Sequence, residues 1–136
     1  MAAVAIGAVL IADWLIVTDE ERLEGFVDSV TGRIDNERID RALSWTDPKL
    51  QPMELTFRGQ SLRFDADNAA ELPSKAYTHL ASYQGEKLTL LSKSIEVKGA
   101  RATVVVDTLS RRGRTTVDYE LRKSGDRWLV SGVFVR

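Results

Sequence analysis

The stretch GARATVVVDTLSRRGRTTVDYELRKSGDRWLVSGVFV, residues 99–135, alternates between two kinds of side chain and breaks only at short polar turns. Ala102, Val104 and Val106 fall in one phase, and Thr103, Val105 and Asp107 in the other. A period of two marks a β-strand with two distinct faces. RRGR (111–114) turns the chain, and Val117, Tyr119 and Leu121 then form one face of a second run. KSGDR (123–127) turns it again into a strand that holds Trp128, Val130 and Phe134. Just upstream, Leu88 and Leu90 share a phase, whereas Leu91, Ile95 and Val97 share the opposite one. That slip predicts a bulge near Leu90–Leu91, which would bend a long strand over 87–98. The reading is a curved antiparallel meander of four strands.

The first half of the chain has the other period. TDEE (18–21) reads as a capping box in which Thr18 and Glu21 bond each other's backbone, opening a helix near residue 19. Leu23, Phe26, Val27, Val30 and Ile34 then lie on one helical face, so the helix is expected to run to about Asp35. Asn36 is placed as the cap of a short second helix with Ile39, Ala42 and Leu43, stopped by the DP at 47–48. Met53, Leu55 and Phe57 return to period two, GQ (59–60) fits a tight hairpin turn, and Leu62 and Phe64 alternate on the way back. A third helix is expected over 66–83, with Pro73 either kinking it or marking its first turn. Early helices and a late curved sheet define an α+β fold: a cone-shaped roll, with N-terminal helices packed on a strongly curved antiparallel β-sheet. This domain occupies 18–136 and is preceded by an apolar N-terminal segment, 1–17.

GARATVVVDT followed by TTVDYELRKSGDRWLVSGVFV resembles the C-terminal half of the nuclear transport factor 2-like (SnoaL-like, cystatin-like cone) superfamily. The resemblance lies in a small-residue strand, a Val-x-Tyr-x-Leu strand, a Gly-Asp turn and a Trp-x-Val strand, and covers about 18–136. It implies a pocket between the long helix and the sheet, and often a homodimer through the sheet face, here Thr116, Asp118, Glu120 and Arg122. The superfamily contains isomerases, dehydratases, cyclases and binding adaptors, so the resemblance does not carry a function.

Composition narrows the chemistry. Nineteen basic residues stand against twenty acidic ones, for a net charge of -1, which gives no electrostatic drive toward nucleic acid. There is no cysteine and one histidine, so thiolate and multi-histidine metal sites are excluded within one chain. No phosphate loop, nucleophile elbow or calcium loop is present, and nothing calls for a cofactor or metal. Proton abstraction beside a carbonyl needs a base and an oxyanion donor in one dry pocket. The candidates are Asp107, Tyr119 and His79. Each has a plainer reading: a strand-end carboxylate paired with an arginine, a core ring with a locally satisfied hydroxyl, and a solvent-facing histidine. Asp40 is expected either at the cone mouth or as a partner of Arg38 or Arg41. SRRGR (110–114) is the strongest basic cluster and reads as a solvated hairpin tip, or as a contact for anionic lipid or an acidic partner. Trp45, Tyr77, Tyr83 and Trp128 are placed either in the core or as pocket-lining aromatics around a small apolar ligand.

MAAVAIGAVLIADWLIV (1–17) has one charged residue, Asp13. As a helix it would have no water-facing side, yet at roughly 25 Å it falls short of the ~30 Å hydrocarbon core. It lacks the basic start and cleavage site of an export signal. The expectation is a single-pass membrane anchor through Met1–Val17; the rival is a helix or strand packed on the domain or on a dimer partner, in a cytoplasmic soluble protein. The functional expectation is a non-catalytic binding domain of small ligands or proteins. The alternative is a small cofactor-independent isomerase or dehydratase.

Overall fold

The computed structural model describes residues 19–136. The readings that fall on Met1–Val17 and on Thr18 lie outside the described residues. Helix α1 covers 19–30 and is followed by β1 (Gly32–Arg33), α2 (Asn36–Leu43), β2 (Met53–Phe57) and β3 (Gln60–Phe64). Then come α3 (Glu71–Leu80), a 3-10 turn (Ala81–Tyr83), β4 (Lys87–Lys98), β5 (Arg101–Ser110), β6 (Gly113–Ser124) and β7 (Arg127–Val135). The sheet order is β1-β4-β5-β6-β7-β2-β3. Every neighbour pair is antiparallel except β2 and β7, which run parallel.

The period-two pattern sets which face of the sheet is buried. Ala102, Val104 and Val106 of β5 and Leu121 of β6 are buried, and they pack under Leu23, Phe26 and Val27 of α1. These three helical residues fall on one stripe of α1, which is why that helix lies across the concave face. Phe26 meets the ring of Trp45 edge-on at 5.4 Å and that of Tyr119 at 4.9 Å. Asp19 clamps the start of α1 to the last hairpin: it accepts from Lys123 Nζ at 3.1 Å and from Trp128 Nε1 at 3.2 Å.

The expected bulge is present. The β4–β5 register shifts between Leu90 and Ser92, so Leu91 is the extra residue. A second shift, in β7, was not anticipated: Glu120 faces Gly132 while Leu121 faces Val130, leaving Ser131 over. This bulge inverts the phase of β7. Trp128 and Val130 point into the core, but Phe134 is turned to the outer face opposite Asp118 and is 38% exposed.

Four boundaries differ from expectation; the third helix begins at Glu71, not at residue 66, because 66–70 form turns. The first helix ends at residue 30, not near Asp35, because Gly32 takes φ +88 and the chain turns into β1, which pairs with β4. Asp35, not Asn36, caps α2, accepting from Arg38 N at 2.8 Å. The hairpin turn lies one residue earlier than GQ: Phe57 pairs with Gln60, and Arg58 and Gly59 form the loop with φ +50 and +76. Two successive positive φ values define the turn that matches the twist of paired strands. Pro73 sits in the first turn of α3, where its missing N–H costs nothing.

Candidate functional site

At one end of the sheet, the β2–β3 turn, the end of β7, the β5–β6 turn and the 3-10 turn come together. Between them lies a cavity of about 580 Å³. Its apolar wall includes Val30 of α1, Leu80 of α3, Leu88 of β4, Val106 of β5 and Val117 of β6. A smaller lobe of about 190 Å³ shares Val30, Ile34, Leu80, Leu88 and Tyr119 with it, so the two are contiguous along one wall. The size is that of small-molecule sites. A shallow depression of about 250 Å³ also lies on the outer face, between charged groups such as Glu96, Arg101, Glu120 and Arg122.

Tyr119 stands on the inner wall, where Thr108 and Thr115 are further hydroxyl groups of the lining. Its cross-strand neighbours Val104 and Val133 and the ring of Phe26 surround it. Burial raises its pKa far above the ordinary tyrosine value, so at neutral pH it is a neutral phenol able to donate a hydrogen bond. Among the described residues nothing hydrogen-bonds its hydroxyl.

Asp107 is on the other face. It sits opposite Thr116 and Ser92 in the register, one residue out of phase with the cavity-lining Val106 and Thr108. Arg114 Nε donates to both its oxygens, at 3.0 and 2.9 Å, and a second guanidinium nitrogen also reaches it. Thr116 Oγ1 donates from 3.3 Å. The Arg114 guanidinium is the main reason its pKa lies below the usual carboxylate value. Asp107 therefore takes the plainer of its two readings, a carboxylate paired with an arginine, and the alternative of a pocket shared with Tyr119 is not formed: a period of two sends these residues to opposite faces. His79 is exposed on α3 and does not line the cavity.

Of the four aromatic residues named from the sequence, only Tyr83 lines the cavity. Trp128 is buried in the core, and Trp45 donates from Nε1 to Ser29 Oγ at 3.1 Å. Tyr77 donates its hydroxyl to Asp40, tying α3 to α2, and this contact raises the phenol's pKa. Asp40 is thus engaged by Tyr77, not by Arg38, which donates to the Asp28 carbonyl instead.

Sequence reasoning missed the charged rim. Arg58, Arg112, Arg114 and Arg136 all line the cavity. Arg112 stacks on the Tyr83 ring at 4.0 Å and donates to Glu86 Oε2 at 2.9 Å and to the Ser82 carbonyl at 2.8 Å. Arg136 donates to Asp118 at 2.5 Å. The basic cluster at 110–114 is therefore largely committed to internal partners: Arg112 and Arg114 are bound, and Arg111 forms the tip with Arg112. Arg58 lies over the Phe57 ring at 5.0 Å and has no carboxylate partner among the described residues. The signal for the rim was present in SRRGR. What was not legible was that the parallel pairing of β2 with β7 brings Arg58 and Arg136 to the same end.

Among the described residues no cluster of three or more histidine, aspartate or glutamate side chains could hold a metal. No helix among them is long and apolar enough to cross a membrane.

No model of a known protein family matches the sequence, and no curated protein is similar to it. Solved structures are similar in shape. A nuclear transport factor 2-like protein with a cystatin-like fold from Novosphingobium aromaticivorans superposes with a TM-score of 0.68 at 14% identity, over 93% of this chain and 86% of that one. A protein of unknown function with a cystatin-like fold from Nostoc punctiforme gives 0.59 at 17% identity, covering 85% of each. A DUF4783 family protein from Bacteroides ovatus gives 0.59 at 12% identity, over 82% of this chain and 90% of that one. The fold is that of the nuclear transport factor 2-like, cystatin-like class: helices on a curved sheet with a cavity between them.

Proposed function

We propose that the chain is a non-catalytic binding domain that takes a small, largely apolar ligand into the cone. The observation that carries this reading is the cavity wall. It offers apolar side chains from α1, α3 and three strands and one deep phenol, while Asp107 is turned to the outer face and held by Arg114. A base and an acid must both reach one substrate to move a proton. Asp107, Tyr119 and His79 lie on three different surfaces, which favours binding over proton transfer.

The neutral fluorescent probe N-phenyl-1-naphthylamine tests the cavity. It is expected to bind the full chain saturably, at one site per chain. Leu80 lines both lobes, so Leu80→Trp, which narrows the space they share, is expected to weaken binding with the fold retained by circular dichroism. Binding that does not saturate, or that is unchanged in Leu80→Trp, overturns the reading.

We also propose that Met1–Val17 tethers the domain to a membrane, on the composition of that segment alone. Flotation of the full chain with lipid vesicles, and its loss on deleting 1–17, is the expected result. A full chain that stays in solution without detergent and ignores vesicles overturns the tether.

A further inference from the structure

Taking the cone as a binding cavity, we infer that its ligand is an amphiphile with a single anionic head, seated with the head at Arg58 and the apolar body directed past Tyr119. Three observations lead there independently. The first is the charge at the mouth. Arg112, Arg114 and Arg136 are each matched by one carboxylate, from Glu86, Asp107 and Asp118, and none of these acids lines the cavity. Arg58 has no such match, which leaves one uncompensated positive charge among the four arginines of the larger cavity. A guanidinium carries five N–H donors, and Arg112 uses only Nε and one terminal nitrogen on its protein partners, so donors remain for a bound oxyanion.

The second is how Arg58 is held. It is the only non-glycine residue at positive φ among the described residues. The first position of such a turn favours asparagine, aspartate or glycine, and a long side chain there carries a backbone penalty. Strained residues concentrate where a side chain is needed in one place. Here the turn lays the guanidinium over Phe57, which itself lines the cavity although it is 44% exposed.

The third is the asymmetry of the space. The lobe behind Tyr119 is walled mainly by Val30, Ile34, Ile39, Leu80 and Leu88, with Arg38 at its wall donating to the Asp28 carbonyl, while Arg58, Arg112, Arg114 and Arg136 line the part of the larger cavity that the lobe does not share. A wholly apolar ligand would make no use of the exposed guanidinium of Arg58, and a free inorganic anion would leave the lobe unfilled. An anionic amphiphile matches both ends.

Two probes that share a naphthalene body separate this inference from the reading beneath it. 1-Anilinonaphthalene-8-sulfonate carries one negative charge, and N-phenyl-1-naphthylamine carries none. The full chain is expected to bind the sulfonate about tenfold more tightly than the neutral probe, the size of one charge-assisted hydrogen bond. The preference is expected to shrink with added salt, since the mouth is open to solvent. Arg58→Asn suits the turn, so the variant should fold; it is expected to remove the preference while leaving the neutral probe within about twofold. Decanoate should displace the sulfonate at a lower concentration than decanol does, and inorganic phosphate should not displace it. Equal affinity for the two probes, or a preference that survives Arg58→Asn, overturns the anionic head and leaves the cavity reading standing. Failure of both probes to bind overturns the cavity reading itself.

Discussion

Asp107 and Tyr119 stand on adjacent strands of one sheet and differ in almost every physical respect. Tyr119 faces inward against Phe26, with its ionisation suppressed by burial. Asp107 faces outward, with its ionised form held by Arg114 and Thr116. One phase step of the β-pleat separates a neutral donor in an apolar cavity from a charge locked in an ion pair. The difference teaches that residue type alone does not define a site; the parity of a position along its strand decides which groups can share a substrate.

The largest test of this contrast is Phe26→Ala on the inner side. Phe26 is 1% exposed and touches both Trp45 and Tyr119, so its loss should destabilise the domain by about 3–5 kcal/mol in urea unfolding. Phe134, the same residue type on the outer face, is 38% exposed, and Phe134→Ala should cost about 1 kcal/mol or less. Similar losses at the two positions would break the assignment of faces.

Titration gives a second, smaller test with opposite signs on the two faces. Asp107 has a lowered folded pKa, so its contribution is complete above the unfolded carboxylate value of about 3.9 and is lost as pH falls through the folded value. The stability gap between the protein and Asp107→Asn should therefore close in acid. Tyr119 has a raised folded pKa, so its contribution holds below the unfolded tyrosine value of about 10 and fades as pH rises above it. Tyr119→Phe should flatten that alkaline limb and change neutral stability by less than about 1 kcal/mol. An Asp107→Asn effect confined to high pH would contradict the ion pair.

The sheet was legible in the sequence wherever alternation ran uninterrupted, as in Ala102–Val104–Val106 and Val117–Tyr119–Leu121. The bulge at Leu91 was legible too, because large apolar residues on both sides of it recorded the slip. Its counterpart at Ser131 was hidden: the strand reads WLVSGVFV, and apolar residues in both phases erase the register. The cavity was less legible than the fold. Its rim is assembled from arginines that are 78 positions apart at the extremes, Arg58 and Arg136, and only the parallel β2–β7 contact joins them. The aromatic residues misled for a related reason: hydrophobicity marks Trp45 and Trp128 as buried without saying whether protein or ligand buries them.

The smallest expected effect bears on the turn that carries Arg58. Its φ of +50 belongs to a region that costs most L-residues about 1–2 kcal/mol relative to the right-handed one, and asparagine relieves part of that. Arg58→Asn should accordingly raise stability by up to about 1 kcal/mol, seen as a higher Tm. The loss of the cation-π contact with Phe57 works against this gain, but the contact is exposed and worth only about 0.5–1 kcal/mol. Arg58→Gly removes the same contact and relieves the backbone more completely, yet adds entropy to the unfolded chain. The order of Tm is therefore expected to be Asn above Arg, with Gly no higher than Asn. If Arg is the most stable of the three, the guanidinium serves the turn itself, and its position at the mouth follows from local packing instead of from a ligand.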